Sequence, residues 1–468
     1  MSVQKWSRRR FLQTSGAVAA LLSTNLLAAC ATPAAPAAGG VEQAAESAAP
    51  ASEGGSLRVM ARAGFAGDAH REFSKQFAEQ TGIDVVAEDV NYNDIFTKTL
   101  ALGAVGELQD LIFGHSRWSP YVAFKGLLLD LDPLVEADSP DILSVYFPSV
   151  IQEMRGPGTD GRLMYLPDFM DVSPTSTVYM NLDLLEQAGI TPPADASWTR
   201  TDLAEMARQA ADPENGVYGL SGLITDKESA LQSWTRGWGQ GEEGSEDSWV
   251  LSPDGTTIRL GDEWPLVKEA LQWWWTLVDE GVIATSDVMA SVEGGADALF
   301  SNGQIAFRIF DTSDTFNLTE MVGERFQFAS ILKPVGPYGH RGSCIEAGRW
   351  SVNSQTAMPQ EAYELTKLLT GEACARWTFE NLKRSPLSVV EVWNDPSLAE
   401  VNPMFEVAHE WLLAGADPFP MPANLRGPEL RDVIRNEMAA WNDGKETWEQ
   451  MVAHAQPAIQ EVLDLPMP

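Results

Sequence analysis

Along the chain the apolar positions switch repeatedly between short continuous runs and helical stripes. Residues 57–60 form a short apolar run that predicts a strand. Residues 69–80 carry Phe73 and Phe77 one turn apart and stop at Thr81-Gly82, which predicts a helix. A second strand is expected over 83–86. A helix follows over 93–102, with Ile95, Phe96, Thr99 and Leu100 on one stripe, and a third strand over 110–113. Ser119-Pro120 fits an N-cap and first helical position for a helix reaching Leu127. This regular alternation predicts parallel strands covered by helices, a doubly wound α/β sheet. Such sheets bind ligands beyond the carboxyl ends of their strands. Those ends fall here at 62–65 and 114–118, the second reading Gly-His-Ser-Arg-Trp. Further on, helices over 201–211, 266–279 and 360–369 alternate with short strands over 217–220, 305–310 and 326–331. The last part, over 405–413, 429–441 and 447–463, reads as helix throughout.

The N-terminal end is patterned differently. Ser7-Arg8-Arg9-Arg10-Phe11-Leu12-Gln13 precedes a modest apolar run over 16–29, interrupted by Ser23, Thr24 and Asn25 and closed by Leu27-Ala28-Ala29-Cys30. A basic start, a short apolar middle and a small-residue end are the parts of an export signal. The run is too short to cross roughly 30 Å of hydrocarbon. The paired arginines resemble the twin-arginine signal of bacteria, with Gln13 where that motif usually has Lys. The closing residues resemble the lipobox of bacterial lipoproteins, which implies lipidation of Cys30 after cleavage. Residues 1–29 are therefore expected to be a signal peptide. Residues 30–56 are expected to be the lipidated Cys and a flexible Ala/Pro/Gly linker, too poor in apolar surface to fold. A leash of about 26 residues reaches roughly 30 Å. The implied location is the outer face of the bacterial cytoplasmic membrane, extracellular or periplasmic.

Charge and cysteine content narrow the chemistry. The formal net charge is −34. The leader holds Lys5, Arg8, Arg9 and Arg10 and no acid, so the mature chain carries −38. Such a surface repels phosphate backbones, and no nucleic-acid partner is expected. Cys344 and Cys374 are too few for a disulfide framework; one bridge between them is open to a protein outside the cytoplasm, and two buried free thiols are the expectation. Gly239-Gln240-Gly241-Glu242-Glu243-Gly244 satisfies the dinucleotide fingerprint letter for letter. No strand leads into it, however, and its two glutamates would repel a pyrophosphate. There is no Walker A run and no Gly-x-Ser-x-Gly elbow. The five histidines are scattered without zinc spacing. Neither a cofactor nor a metal is expected. Carboxylates are so abundant that counting does not exclude a glycosidase pair.

A chain-long set of motifs carries a resemblance. Tyr165-Leu166-Pro167-Asp168 is followed by Thr177-Val178-Tyr179-Met180-Asn181, then Leu182-Asp183-Leu184-Leu185, Ala188-Gly189-Ile190-Thr191-Pro192-Pro193 and Ser197-Trp198-Thr199. This order resembles the family 1 extracellular solute-binding proteins, the group that includes maltose-binding protein, with Met180 in place of the usual Tyr. Later stretches resemble the family as well. Among them are Gly303-Gln304-Ile305-Ala306-Phe307, Ala347-Gly348-Arg349-Trp350-Ser351-Val352 and Leu368-Leu369-Thr370-Gly371-Glu372. The resemblance implies a two-lobed periplasmic-binding-protein fold, type II-like, with doubly wound sheets joined by hinge crossings and a helical C-terminal part. It implies a first lobe over 57–172 plus 335–388 and a second over 173–334 plus 389–468. The crossings should lie near 169–178, 333–343 and 385–392.

Candidate ligand contacts come from the strand ends and crossings. A sugar ring offers apolar C–H faces and a rim of hydroxyls, so it suits a flat aromatic face with planar polar partners. Sixteen tryptophans are many for this length. Trp118, Trp234 and Trp238 stand in or beside expected loops. Trp273-Trp274-Trp275 lies at core spacing inside a helix, and Trp350 on a strand also reads as core. Phe65 and His115 stand at strand ends and Arg117 beside Trp118. Asp168 and Asp171 flank the first crossing, Asp311 follows a strand, and Gly348-Arg349 stand on the strand after the second crossing. The resemblance implies a lipid-anchored, monomeric solute receptor of an ABC importer that closes on a neutral sugar or oligosaccharide. Its partners would be permease and ATPase subunits, and it would perform no chemistry. Two alternatives stand beside it: a receptor for a glycerol phosphate, polyol or polyamine, and a surface-anchored carbohydrate-active enzyme.

Overall fold

The computed structural model describes residues 55–64, 66–138, 140–173, 175–222, 224–240, 246–311, 315–382, 387–398, 405, 409–410 and 417–468. The signal-like segment, Cys30, the leash and Phe65 lie outside the described residues, as do 241–245 of the glycine-rich stretch. Asp171 is described in its backbone alone.

The chain opens with strand β1 (Ser56–Arg62), helix α1 (Ala66–Thr81), β2 (Asp84–Val90), α2 (Tyr92–Val105), β3 (Leu111–His115) and α3 (Ser119–Phe124). This is the alternation its apolar spacing predicts. Phe73 and Phe77 of α1 are buried against the sheet, and α2 ends where Gly106 adopts a left-handed conformation, φ 72°. Ser119 is not the N-cap of α3. Trp118 takes that position, and the Ser119 hydroxyl accepts from the His115 backbone N–H at 2.9 Å, tightening the turn after β3.

Next come α4 (Pro148–Met154), β4 (Leu166–Ser173), β5 (Thr177–Asn181), α5 (Arg200–Ala210), β6 (Tyr218–Ser221), α6 (Glu228–Thr235), α7 (Pro265–Asp279), β7 (Ile305–Phe310) and β8 (Phe328–Leu332). The chain ends with β9 (Cys344–Val352), α8 (Pro359–Thr370), α9 (Glu372–Leu382), β10 (Asp417–Pro418), α10 (Gly427–Asn442) and α11 (Trp448–Leu463). Helices α5 and α11 start from full capping boxes, Thr199 with Asp202 and Thr447 with Gln450.

Among the described residues there are two sheets, one for each lobe. The first has the order β10-β9-β3-β1-β2, with β4 also on β9. β1 runs parallel to β2 and β3, while β9 returns antiparallel to β3 and β4. The second has the order β6-β7-β5-β8. Each sheet has its own core. The first gathers Leu57, Phe113, Tyr165, Trp350 and Tyr363, the second Val178, Leu220, Trp234, Trp274 and Trp441. Val389, Val392, Trp393, Leu398 and Phe405 pack in the first core. These described residues, which lie in the stretch expected in the second lobe, are buried beside α9.

Among the described residues the chain passes between the lobes three times. β4 and β9 pair in the first sheet down to Ser173↔Cys344, and β5 and β8 pair in the second from Thr177↔Leu332. The first two crossings therefore form one two-stranded ribbon shared by both sheets, as expected near 169–178 and 333–343. The third crossing is displaced from its expected place near 385–392. It runs from β10 in the first sheet to α10 in the second core, through Phe419, Met421 and Leu425.

Candidate ligand-binding cleft

In both lobes the strand ends converge on the space between the sheets. The first lobe contributes Arg62 at the end of β1, Tyr92 just after β2, and His115, Arg117 and Trp118 at and after β3. The second contributes Lys227, Glu228 and Ser229 at the start of α6, and Asp311 just after β7. β9 adds Glu346, two residues from the second crossing.

Glu346 is the node of this group. Lys227 Nζ donates to its Oε2 at 2.8 Å, Arg117 Nη2 to its Oε1 at 3.4 Å, and the Ser229 hydroxyl to Oε1. His115 Nε2 lies 3.9 Å away. Arg117 further donates from Nε to Glu228 at 3.2 Å and from Nη1 to the Tyr92 hydroxyl at 3.3 Å. Lys227 Nζ also stands 3.8 Å from Asp311. The Arg117–Glu228 and Lys227–Glu346 pairs each join one lobe to the other.

Apart from the partly exposed Tyr92 and Lys227, these side chains are almost entirely buried, which shifts their protonation. Burial works against the Arg117 charge, but Glu228, Tyr92 and Glu346 outweigh it and its pKa rises. Burial likewise opposes the Glu346 carboxylate, yet Lys227, Arg117 and His115 hold it well below the usual carboxylate range. Burial pushes His115 far down, with Glu346 only partly opposing, so its imidazole is neutral. Burial pushes the Glu228 carboxyl up, with Arg117 opposing. The base of the cleft is thus a set of buried groups paired with one another.

Beside this network lies an inter-lobe cavity of about 390 Å³. One wall is aromatic: Tyr92, Phe96 and Trp118, with the Tyr92 and Trp118 rings edge to face at 4.9 Å. The opposite wall is the first half of α10, with Arg431, Asp432 and Arg435. Asp226 pairs with Arg435 at 2.8 Å and Arg431 at 3.6 Å. At the N-terminus of α10, Gly427 lies against the Arg117 carbonyl, where a Cβ would stand 2.6 Å from that oxygen. Only glycine lets the helix approach so closely.

Of the residues expected at the site, His115, Arg117, Trp118 and Asp311 are brought to this cleft. Arg349 is not. It is buried inside the first lobe on Glu153 Oε1 at 2.5 Å and Ser116 Oγ at 2.9 Å, with its guanidinium over Tyr165. Asp168 is buried in the same lobe, 3.4 Å from His70 Nε2, with its carbonyl capped by Ser388. Gly348 leaves room for the Phe169 ring, which a Cβ would meet at 2.4 Å. Trp234 and Trp238 pack in the second core on Trp273 and on each other, and both are essentially inaccessible. Tyr92, Lys227, Glu228 and Glu346 were not singled out. The strand-end rule would have found the first three. Glu346 had a subtler signal, a carboxylate inside an otherwise apolar strand.

The fold and cleft define a two-lobed binding protein. The chain belongs to the bacterial extracellular solute-binding protein family, whose model matches residues 72–388. The family is an extracellular one, so the chain acts outside the cytoplasm. Among the described residues no helix is long and apolar enough to cross a membrane. Among curated proteins no sequence relative is found. Solved structures share the fold. An ABC substrate-binding protein from Listeria monocytogenes, in complex with cycloalternan, is similar with a TM-score of 0.75 at 19% identity, over 88% of this chain and 99% of that one. The GacH receptor of Streptomyces glaucescens, determined unliganded and with acarbose, gives 0.69 at 19% identity, over 88% and 99%. An ABC transporter solute-binding protein from Agrobacterium radiobacter, in complex with ribitol, gives 0.69 at 18%, over 88% and 100%.

Proposed function

We propose that the chain is the receptor of an ABC importer and takes a neutral sugar or short oligosaccharide between its lobes. The observation that carries this is the aromatic-walled inter-lobe cavity whose neighbouring charges are paired with one another. Three rings offer faces and edges to C–H surfaces, and paired Arg, Asp and Glu groups offer hydrogen bonds to hydroxyls. The lining arginines already share acids, so no net charge awaits an ionic ligand. The cycloalternan and acarbose complexes of structural neighbours support this reading, and the ribitol complex supports a polyol as the second. The ligand binds across both lobes and favours the closed arrangement, which a permease then recognises. No bond of the ligand is broken. The paired arginines and the Leu-Ala-Ala-Cys run support export and a lipid anchor on Cys30.

The test is calorimetric titration of the mature chain with mono- and oligosaccharides, polyols, glycerol phosphates and polyamines, with product analysis of each hit. A neutral sugar or polyol that binds and is recovered intact is the expected result, and Trp118→Ala then weakens it on the order of tenfold. Cleavage of the sugar, or binding of phosphates or polyamines alone, overturns the proposal.

A further inference from the structure

Three described residues other than glycine adopt the left-handed backbone conformation: Asp160 at φ 55°, Thr175 at φ 64° and Leu425 at φ 62°. Asp160 lies in an exposed turn, and its residue type tolerates that region. The other two are different. Both are buried, and both lie in crossings between the lobes, Thr175 in the first and Leu425 in the third. For a β-branched or bulky side chain this backbone is a true outlier, held only where its surroundings over-determine it.

The surroundings of Thr175 do so. It sits in the gap of the shared ribbon, between Ser173↔Cys344 and Thr177↔Leu332. Next to it, the Ser176 carbonyl accepts from the Lys333 backbone N–H at 2.9 Å, tying the first crossing to the second. The Thr175 hydroxyl donates to Ser233 Oγ at 3.3 Å and accepts from Lys333 Nζ at 3.4 Å, and Lys333 Nζ also donates to the Ser233 carbonyl at 2.8 Å. Ser233 belongs to α6, the helix whose first turn makes the cross-cleft contacts to Arg117 and Glu346. Any rotation at Thr175 is thereby geared to the contacts that hold the lobes together.

We propose that Thr175 is a sprung pivot: its left-handed backbone is strained while the lobes are in contact and relaxes as they part. This rests on the two-lobed receptor reading above. The cross-lobe pairs close the molecule, the pivot opens it, and a bridging ligand tips the balance. The strain of one such residue changes a two-state ratio on the order of tenfold.

The experiment compares the mature wild-type chain with Thr175→Gly, Thr175→Asn and Asp160→Gly. The readouts are small-angle scattering and a spin-label distance between the lobes, first without ligand and then across the sugar and polyol panel. Glycine removes the strain, so Thr175→Gly should raise the closed-to-open ratio of the free protein roughly tenfold. Thr175→Asn tolerates the left-handed region and keeps a side-chain oxygen, so it should move the same way by less, and it carries the test if the glycine variant does not fold. Asp160→Gly should leave the ratio unchanged. The proposal is overturned if both Thr175 variants match wild type, if they move towards the open form, if Asp160→Gly shifts the ratio equally, or if the free wild type is already fully closed. A wild type whose lobes never move with any panel member sinks the receptor reading instead. A wild type that closes on ligand while the Thr175 variants behave like it removes only the pivot.

Discussion

Two regions of this protein bury arginine beside tryptophan, and they are built to opposite ends. In the cleft, Arg117 stands next to Trp118 and is neutralised by Glu228 and Glu346, with an open cavity alongside. In the second core, Arg200 lies 3.8 Å over Trp234 and 4.2 Å over Trp238. Its Nη2 donates to the Arg341 carbonyl, and burial alone drives its pKa far down. The rings there close on each other and leave no lining for a ligand. The difference teaches that aromatic supply does not mark a binding site. Carboxylates arriving from both lobes set the candidate cleft apart, because a buried cation paired with acids stays in place beside open space, whereas one stacked on rings becomes part of the filling.

The comparison can be broken by substitution. Trp234→Ala is expected to cost the most, on the order of 3–5 kcal/mol of stability, since it opens a cavity in the second core and strips one face from Arg200. Denaturant midpoints measure this. Ligand affinity of the folded fraction should be preserved, and a selective loss of binding would place that tryptophan in the site after all.

Glu346→Gln comes next, at roughly 3 kcal/mol, because Lys227 and Arg117 lose a shared buried partner. Its pH dependence sharpens the contrast. Although burial opposes it, the Lys227 and Arg117 charges lower the folded pKa of Glu346 below its ordinary 4.5. Its stabilisation is therefore fully present above that value and lost as pH falls through the folded one. A stability–pH profile of the Gln variant should be flatter than wild type below about pH 4.5, and parallel curves would refute the linkage.

The smallest effect is a control on the partly exposed face of α11. His454 is held by Glu446 and Glu437, which raise its pKa above 6.5. Its contribution is present below that value and disappears as pH rises through the folded one. The side chain is 42% exposed, so screening limits this to a few tenths of a kcal/mol. Differential scanning calorimetry between pH 5 and 8 on Glu446→Gln tests it.

Much of the fold was legible in the apolar spacing. Elements from β1 through α3, and helices α5, α7, α8, α10 and α11, fall within a few residues of where periodicity puts them, because each buries a regular face. The cleft was legible where local order dictates it, at the end of β3. It was illegible where a residue's meaning depends on a partner far along the chain. Arg349 reads as a candidate ligand contact from its place on the strand after the second crossing, but Glu153, 196 residues earlier, takes its guanidinium. Glu346 likewise gains its role from Ser229, 117 residues away. The third crossing was misplaced for the same reason: what decides it is the burial of Trp393 and Phe405 against α9, which no spacing rule reports.

The shared ribbon has a consequence for how the molecule comes into being. Strand β9 lies between β3 and β4 in the first sheet, yet it emerges only after the entire second sheet, β5 to β8, has been made. A growing chain thus carries an unfinished first lobe, its β3 edge unpaired, through more than 150 residues of synthesis. The second sheet needs no strand from outside its own stretch and is free to form first. Such long-range pairing slows folding and leaves a strand edge open to wrong partners while it waits. The same nesting that joins the two lobes by a hinge makes the sheet of the N-terminal lobe the later of the two to be completed.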